Sequence, residues 1–144
     1  MTSAHYRQKI HRGRWDAGTS GLASVIVAQF FNDHLDEHLA TTNAVVKAKC
    51  QAVIDTLSVN VSDLCTWTTP RGGLFLWIDL PQRTDLDKLQ KLAGRKGVGF
   101  SRGSAFHCRN EPIKSIRLAY AYCALEDIVE GITYLCHAIR AAQS

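Results

Sequence analysis

The stretch from Pro70 to Tyr122 constrains the fold of this chain more than any other. Residues 70–77 read Pro-Arg-Gly-Gly-Leu-Phe-Leu-Trp, and residues 115–120 read Ser-Ile-Arg-Leu-Ala-Tyr. Pro70 fixes its own φ, and Gly72-Gly73 supplies backbone free of Cβ, so a sharp turn is expected before Leu74. Leu74 to Ile78 is continuously apolar and bounded by Asp79 and Pro81, which predicts a buried strand over 74–78. A second strand is expected over 115–121. Side chains alternate across a strand, so Ile116, Leu118 and Tyr120 share one face, and Arg117, Ala119 and Ala121 share the other. An arginine among apolar neighbours needs an anion if it is to be buried. This leaves two readings. One is a structural ion pair with an Asp or Glu elsewhere in the chain. The other is a bidentate grip on a ligand carboxylate, which a planar guanidinium performs better than lysine. The residues alone leave both open.

The rest of the chain supplies helices and two further short strands. Asp16 to Gly21 is a loop by composition, and Thr19 or Ser20 is placed to cap a helix beginning near Gly21. Leu22, Ile26 and Phe30 recur at helical spacing, which predicts a helix over about 21–32. Asn32-Asp33 weakens the pattern and suggests a bend. A second helix is expected over 35–57, with Leu39, Val45, Ala48, Ala52 and Leu57 inward. Residues 64–68 and 98–101 read as short strands, and 102–114 as an irregular loop. Thr84-x-x-Asp87 has capping-box spacing ahead of the stripe Leu86, Leu89, Leu92 and Ala93, and Gly94 and Gly97 end that helix. A final helix over 125–141 buries Ile128, Ile132, Leu135 and Ile139. Strands joined by a short turn must be antiparallel. The expected class is therefore α+β, a small antiparallel-rich sheet covered by helices. The domain division expected is a basic, irregular lead-in over 1–20 and one domain over 21–144.

Composition narrows the function classes. At 144 residues the chain can bury a core of its own, and no apolar run approaches the length of a membrane span. The net charge of +4 sits at the head, where Arg7, Lys9, Arg12 and Arg14 precede the first acid, Asp16. With those four set aside, the body is neutral. No aromatic-rich basic face accompanies the basic head, so no nucleic-acid contact is expected from it. Five cysteines without a Cys-x-x-Cys pair or a secretory signal point to free thiols in a reducing, cytoplasmic compartment.

Two small constellations invite other chemistry. His34-Leu35-Asp36-Glu37-His38 matches the His-x-x-Glu-His zinc pattern, with Glu37 as the base, and it needs a third ligand such as Glu111 or Glu126. A charged, solvated helix end explains the same five residues, and no metal site is assigned. Cys108 beside His107 has the residue types of a thiol nucleophile and its base, but no orienting acid is evident.

The ordered series carries more. Pro70-x-Gly72-Gly73-x-Phe75-x-Trp77, Gly97-Val98-x-Phe100, Gly103-x-x-Phe106, Ile116-Arg117-Leu118 and Glu130-Gly131-Ile132 together resemble the C-terminal portion of class I/II pyridoxal-phosphate-dependent aminotransferases of the type I fold. The resemblance runs from about Gly18 to the end. It implies that Arg117 binds the α-carboxylate of an amino-acid or 2-oxo-acid substrate, and that the backbone of Gly72 and Gly73 approaches that substrate. It also implies pyridoxal 5'-phosphate as cofactor, held mainly by a large domain, and a homodimer in the full enzyme. None of Lys9, Lys47, Lys49, Lys88, Lys91, Lys96 and Lys114 stands in the family's Schiff-base setting, Ser-rich with lysine and then Pro-Gly-x-Arg. The resemblance therefore implies that this sequence begins after that lysine and is inactive alone, with no catalytic residue in the chain and its cofactor contacts unknown. The chain departs from the family pattern at Arg102-Gly103, where Pro-Gly is usual, and around Asn43 and Cys50, where basic residues are usual. The segment 21–57, with Asp36-x-His38-Leu39, resembles the subgroup of aminoadipate and aromatic aminotransferases and aminotransferase-like regulators. An effector-binding domain of a transcriptional regulator is the alternative this implies. Without its large domain such a segment should expose apolar surface, and Leu22, Val25, Ile26, Val27, Phe30 and Phe31 are too many for one helix face.

Overall fold

A computed structural model of the chain describes residues 4–12, 18–109 and 111–143. The chain divides into two compact units, Met1–Leu39 and Ala40–Ser144. The elements in order are α1 (Ala4–Arg12), α2 (Gly21–Val61), β1 (Thr66–Trp67), β2 (Phe75–Asp79), α3 (Leu86–Gly94), β3 (Ser101–Arg102), a 3-10 helix (Gly103–Phe106), β4 (Ser115–Ala119) and α4 (Leu125–Ala141). No described helix is long and apolar enough to cross a membrane.

The first unit holds α1, to which the sequence reading assigns no element, and the start of α2. Ser20 caps α2 as expected: its hydroxyl accepts from the Ala23 N–H at 3.4 Å, and its carbonyl accepts from the Ser24 hydroxyl at 2.9 Å. The expected bend at Asn32-Asp33 is absent, and one helix runs through both residues. Each costs a helix only a fraction of a kcal/mol relative to alanine, about 0.7 at most. No proline or glycine interrupts the ladder there. Leu22, Val25, Ile26, Val27, Phe30 and Phe31 are all exposed, and so is Leu39, which was expected to face inward.

The second unit carries a four-stranded antiparallel sheet of order β1-β2-β4-β3. Its register sets Phe75 opposite Ala119, Trp77 opposite Arg117 and Asp79 opposite Ser115. The strands are shorter than the apolar runs suggested. Residues 98–100 lie outside the sheet, because Gly97 turns at φ +74° and pairing with β4 begins only at Ser101. Of the loop expected over 102–114, Arg102 belongs to β3 and Gly103–Phe106 to the 3-10 helix. β2 is also not buried on both faces. Leu76 and Ile78 point into the core, while Phe75 is exposed and Trp77 half-buried.

Ile116, Leu118 and Tyr120 join that core, with Val53, Leu57 and Val61 of α2, Leu89 and Ala93 of α3, and Ile128, Ile132, Leu135 and Ile139 of α4. The inward stripe of α2 is thus rotated from the expected one, since Val45 and Ala48 are exposed. At α3 the cap is Asp85 rather than Thr84: its carboxylate accepts from the N–H groups of Asp87 and Lys88 at 2.9 and 3.0 Å. Arg140 ties α4 to the end of α2 through two bonds to the Asp63 carboxylate and two to the Asn60 carbonyl.

Candidate functional site

Arg117 sits mid-strand on the sheet face turned away from the helices, and it is half-buried. Its guanidinium carbon lies 4.1 Å from the centre of the Phe75 ring and 4.1 Å from that of Phe106. Register explains the first contact. Phe75 pairs with Ala119, one step diagonal from Arg117 on the same face. The second ring comes from the last residue of the 3-10 helix. Trp77, directly opposite Arg117, meets Phe106 edge-on at 6.1 Å. An arginine over an aromatic face is attracted by the ring quadrupole within about 6 Å. The arginine is therefore placed among aromatic rings and not in a hydrocarbon core.

Among the described residues no carboxylate lies within 4 Å of Arg117. The acid on the same face of β2 is Asp79, and it is engaged elsewhere. Its Oδ1 accepts from Trp77 Nε1 at 3.0 Å and from the Ser115 hydroxyl at 2.6 Å. The in-plane donors of Arg117 are left for something else.

Gly72 and Gly73 form the turn that launches β2, and Gly73 has φ +89°, a left-handed conformation suited to glycine. Tyr120 holds this turn twice. Its N–H bonds the Leu74 carbonyl at 3.2 Å, and its hydroxyl donates to the Gly73 carbonyl at 2.8 Å. The phenol is pushed up to about 12, by burial first and then by Cys50 beside it on α2. Nearby, Lys49 Nζ donates to the Ala121 carbonyl at 2.9 Å, which fixes α2 against the end of β4. Gly72 and Gly73 line a cleft of about 580 Å³ with Asn43, Lys47 and Arg71, and Arg117 is not part of its wall. The two glycines and the arginine are connected instead through Phe75, two residues after Gly73.

The other constellations look different in three dimensions. His34 stacks on Phe30 with ring centres 4.9 Å apart, and His38 lies 5.8 Å from both Phe30 and Phe31. Among the described residues no group of three or more His, Cys, Asp or Glu is placed to hold a metal ion. Cys108 is exposed, while the His107 ring accepts at Nδ1 from the Glu111 N–H at 3.4 Å. The sequence reading did not identify Phe75, Phe106 and Tyr120 as parts of the site. The signal for Phe75 was present, since Phe75 and Trp77 share the face that pairs with Arg117.

Comparison with known proteins adds the family context. The model of the family described as aspartate amino-transferase matches residues 8–144. An uncharacterised HTH-type transcriptional regulator of Bacillus subtilis, YdfD, is 30% identical over 118 residues, 81% of this chain and 24% of its own length. Aromatic-amino-acid aminotransferase 1 of Thermococcus litoralis is 30% identical over 126 residues, 87% of this chain and 30% of its own. The structure of LysN, the alpha-aminoadipate aminotransferase of Thermus thermophilus, complexed with N-(5'-phosphopyridoxyl)-L-leucine, superposes with a TM-score of 0.74 at 28% identity. It matches 81% of this chain and 30% of that one. The chain thus spans about a quarter to a third of the length of these relatives.

Proposed function

The chain belongs to the aspartate aminotransferase family, and on that footing we propose that it is the carboxylate-binding portion of a longer pyridoxal-phosphate-dependent aminotransferase. The observation that carries this reading is Arg117, a guanidinium 4.1 Å from the centres of two aromatic rings and with no acid partner among the described residues. The α-carboxylate of an amino acid or 2-oxo acid fits its open edge as a planar, bidentate acceptor. Gly72 and Gly73 present Cβ-free backbone at the start of β2, on the far side of Phe75 from Arg117, where a substrate held by Arg117 could be approached closely.

Pyridoxal phosphate, when bound, supplies the electron sink for transamination. Three lysines of the described residues in Ala40–Ser144 are engaged within the fold. Lys49 and Lys114 donate to the main-chain carbonyls of Ala121 and Thr84, and Lys96 lies over the Tyr134 ring at 5.0 Å. We assign the cofactor's lysine and phosphate contacts to a large domain beyond this chain, and take residues 21–144 as the small domain of a cytoplasmic homodimer that is inactive without it. Borohydride treatment of the 144-residue chain with pyridoxal phosphate should then give no single stoichiometric lysine adduct.

In the full-length protein Arg117→Lys keeps the charge and loses the fork. It should lower kcat/KM for the amino acid by more than about tenfold, roughly 1.4 kcal/mol, with cofactor binding retained. A change within about twofold, less than roughly 0.5 kcal/mol, would reject the carboxylate assignment. A lower melting temperature with unchanged substrate dependence would instead mark Arg117 as structural.

A second reading is favoured by the match to YdfD. The same grip would then hold the carboxylate of an effector in a transcriptional regulator. A helix-turn-helix segment encoded upstream decides for it, and a lysine followed by Pro-Gly-x-Arg, without one, decides for the enzyme.

A further inference from the structure

We infer that Phe106 and Phe75 form a two-sided clamp that fixes the plane of Arg117, with Phe106 as a positioning residue for the anion Arg117 receives. The inference rests on the carboxylate reading and says how that carboxylate must arrive.

The guanidinium is flat, and all its N–H donors lie in its plane. The centres of two rings, one from β2 and one from the 3-10 helix, each lie 4.1 Å from its central carbon, close enough to cover its faces. An anion can then approach only in the plane, along the edge, which suits a carboxylate. Two separate elements build the clamp. Phe75 is fixed by its place in the ladder, opposite Ala119. Phe106 comes from the 3-10 helix, and that helix starts against β4 because residue 103 is glycine. A Cβ there would stand 2.9 Å from the Ser115 carbonyl oxygen and 3.0 Å from Ile113 Cδ1. Trp77 supports Phe106 from the side, edge-on at 75°. Phe106 is itself 46% exposed. A phenylalanine left half in water adds little to a core, and this one is placed where it covers a cation.

The test uses the isotope-labelled 144-residue chain and the side-chain Nε–Hε resonance of Arg117. The probe is sodium 4-methyl-2-oxopentanoate, titrated at constant ionic strength against sodium chloride. The native chain should show an Arg117 Hε moved upfield by the two rings, slow rotation about the Nε–Cζ bond, and a saturable response to the oxo acid beyond that to chloride. Phe106→Leu should move Hε back downfield, quicken the rotation and weaken the oxo-acid response by about three- to fivefold. Phe106→Tyr, which keeps the ring, should restore all three.

A residue that only supported the fold would lower the melting temperature of Phe106→Leu and leave the Arg117 resonance where it was. That result overturns the clamp. So does an oxo-acid affinity that Phe106→Leu leaves at the native value. If the native Arg117 ignores the oxo acid, the carboxylate reading falls and the positioning role with it, whatever the ring shifts report.

Discussion

Tyr120→Phe isolates the contact that ties the Gly72-Gly73 turn to the sheet. Tyr120 is 3% exposed, and its hydroxyl donates to the Gly73 carbonyl at 2.8 Å. Phenylalanine keeps the ring, so no cavity opens, and the main-chain bond from residue 120 to the Leu74 carbonyl remains available. One hydrogen bond is lost. Gly73 is an exposed residue, so water can replace the hydroxyl at its carbonyl, and the full penalty of a buried orphan does not apply. The expected cost is therefore about 1 kcal/mol, the net value of an ordinary intramolecular bond. For a domain of this size that lowers the melting temperature by about 3–5 °C.

The pH dependence carries the sharper signature. The folded phenol is raised from 10 to about 12. Its acid form is retained in the native state after the unfolded chain has ionised, so the stability it contributes is complete below pH 10 and is lost as pH rises towards 12. Urea denaturation of the native and Tyr120→Phe chains at a series of pH values should show a gap of about 1 kcal/mol at pH 7. That gap should narrow steadily above pH 10. A gap that stays constant to pH 12 would show that the hydroxyl is not held as described.

Three further outcomes are expected. Burial foremost pushes the Cys65 thiol up to about 11 and Cys136 to about 12, while Cys108 and Cys123 are exposed. A disulfide reagent at neutral pH, followed by mass mapping, should label the exposed pair promptly and the buried pair only on unfolding. The carboxylates of Asp63 and Asp85 are held below their ordinary 3.8, Asp63 chiefly by the Arg140 hydrogen bond and Asp85 chiefly by the Lys88 N–H. Their contribution is present above pH 3.8 and fades as pH falls through the lower folded value, so a thermal scan of Asp85→Ala should show a loss at pH 7 that closes in acid. Gly103→Ala forces a methyl against the Ser115 carbonyl and should cost about 1–3 kcal/mol in urea denaturation, with a weaker Arg117 response to the oxo acid.

Much of the second unit was legible in the sequence because its signals are local. Four apolar residues spaced along 128–139 give one helix face, and α4 runs over the expected bounds. Glycine pairs and proline mark where strands must turn. The misassignments have equally local causes. Asn32-Asp33 looks like a break because both residues favour turns, yet neither removes a backbone donor, and the helix continues through them. Thr84 fits a capping box by spacing, but the cap sits one residue later, where the carboxylate of Asp85 accepts from the Asp87 and Lys88 N–H groups. A run of five apolar residues cannot say whether one face of its strand is covered or both. Only tertiary packing shows that Phe75 and Trp77 face outward.

The candidate site shows where such reading stops. Alternation alone put Arg117 opposite the core face, and that holds. What it pairs with depended on which acid had no other partner, and that is a question about the whole sheet. Asp79 reads in the sequence as the residue that ends a strand. In the fold it is on the same face as Arg117, yet the Trp77 indole and the Ser115 hydroxyl both bind its Oδ1. That Arg117 has no acid partner among the described residues is therefore legible only from the pairing of the whole sheet, and not from the strand that carries it.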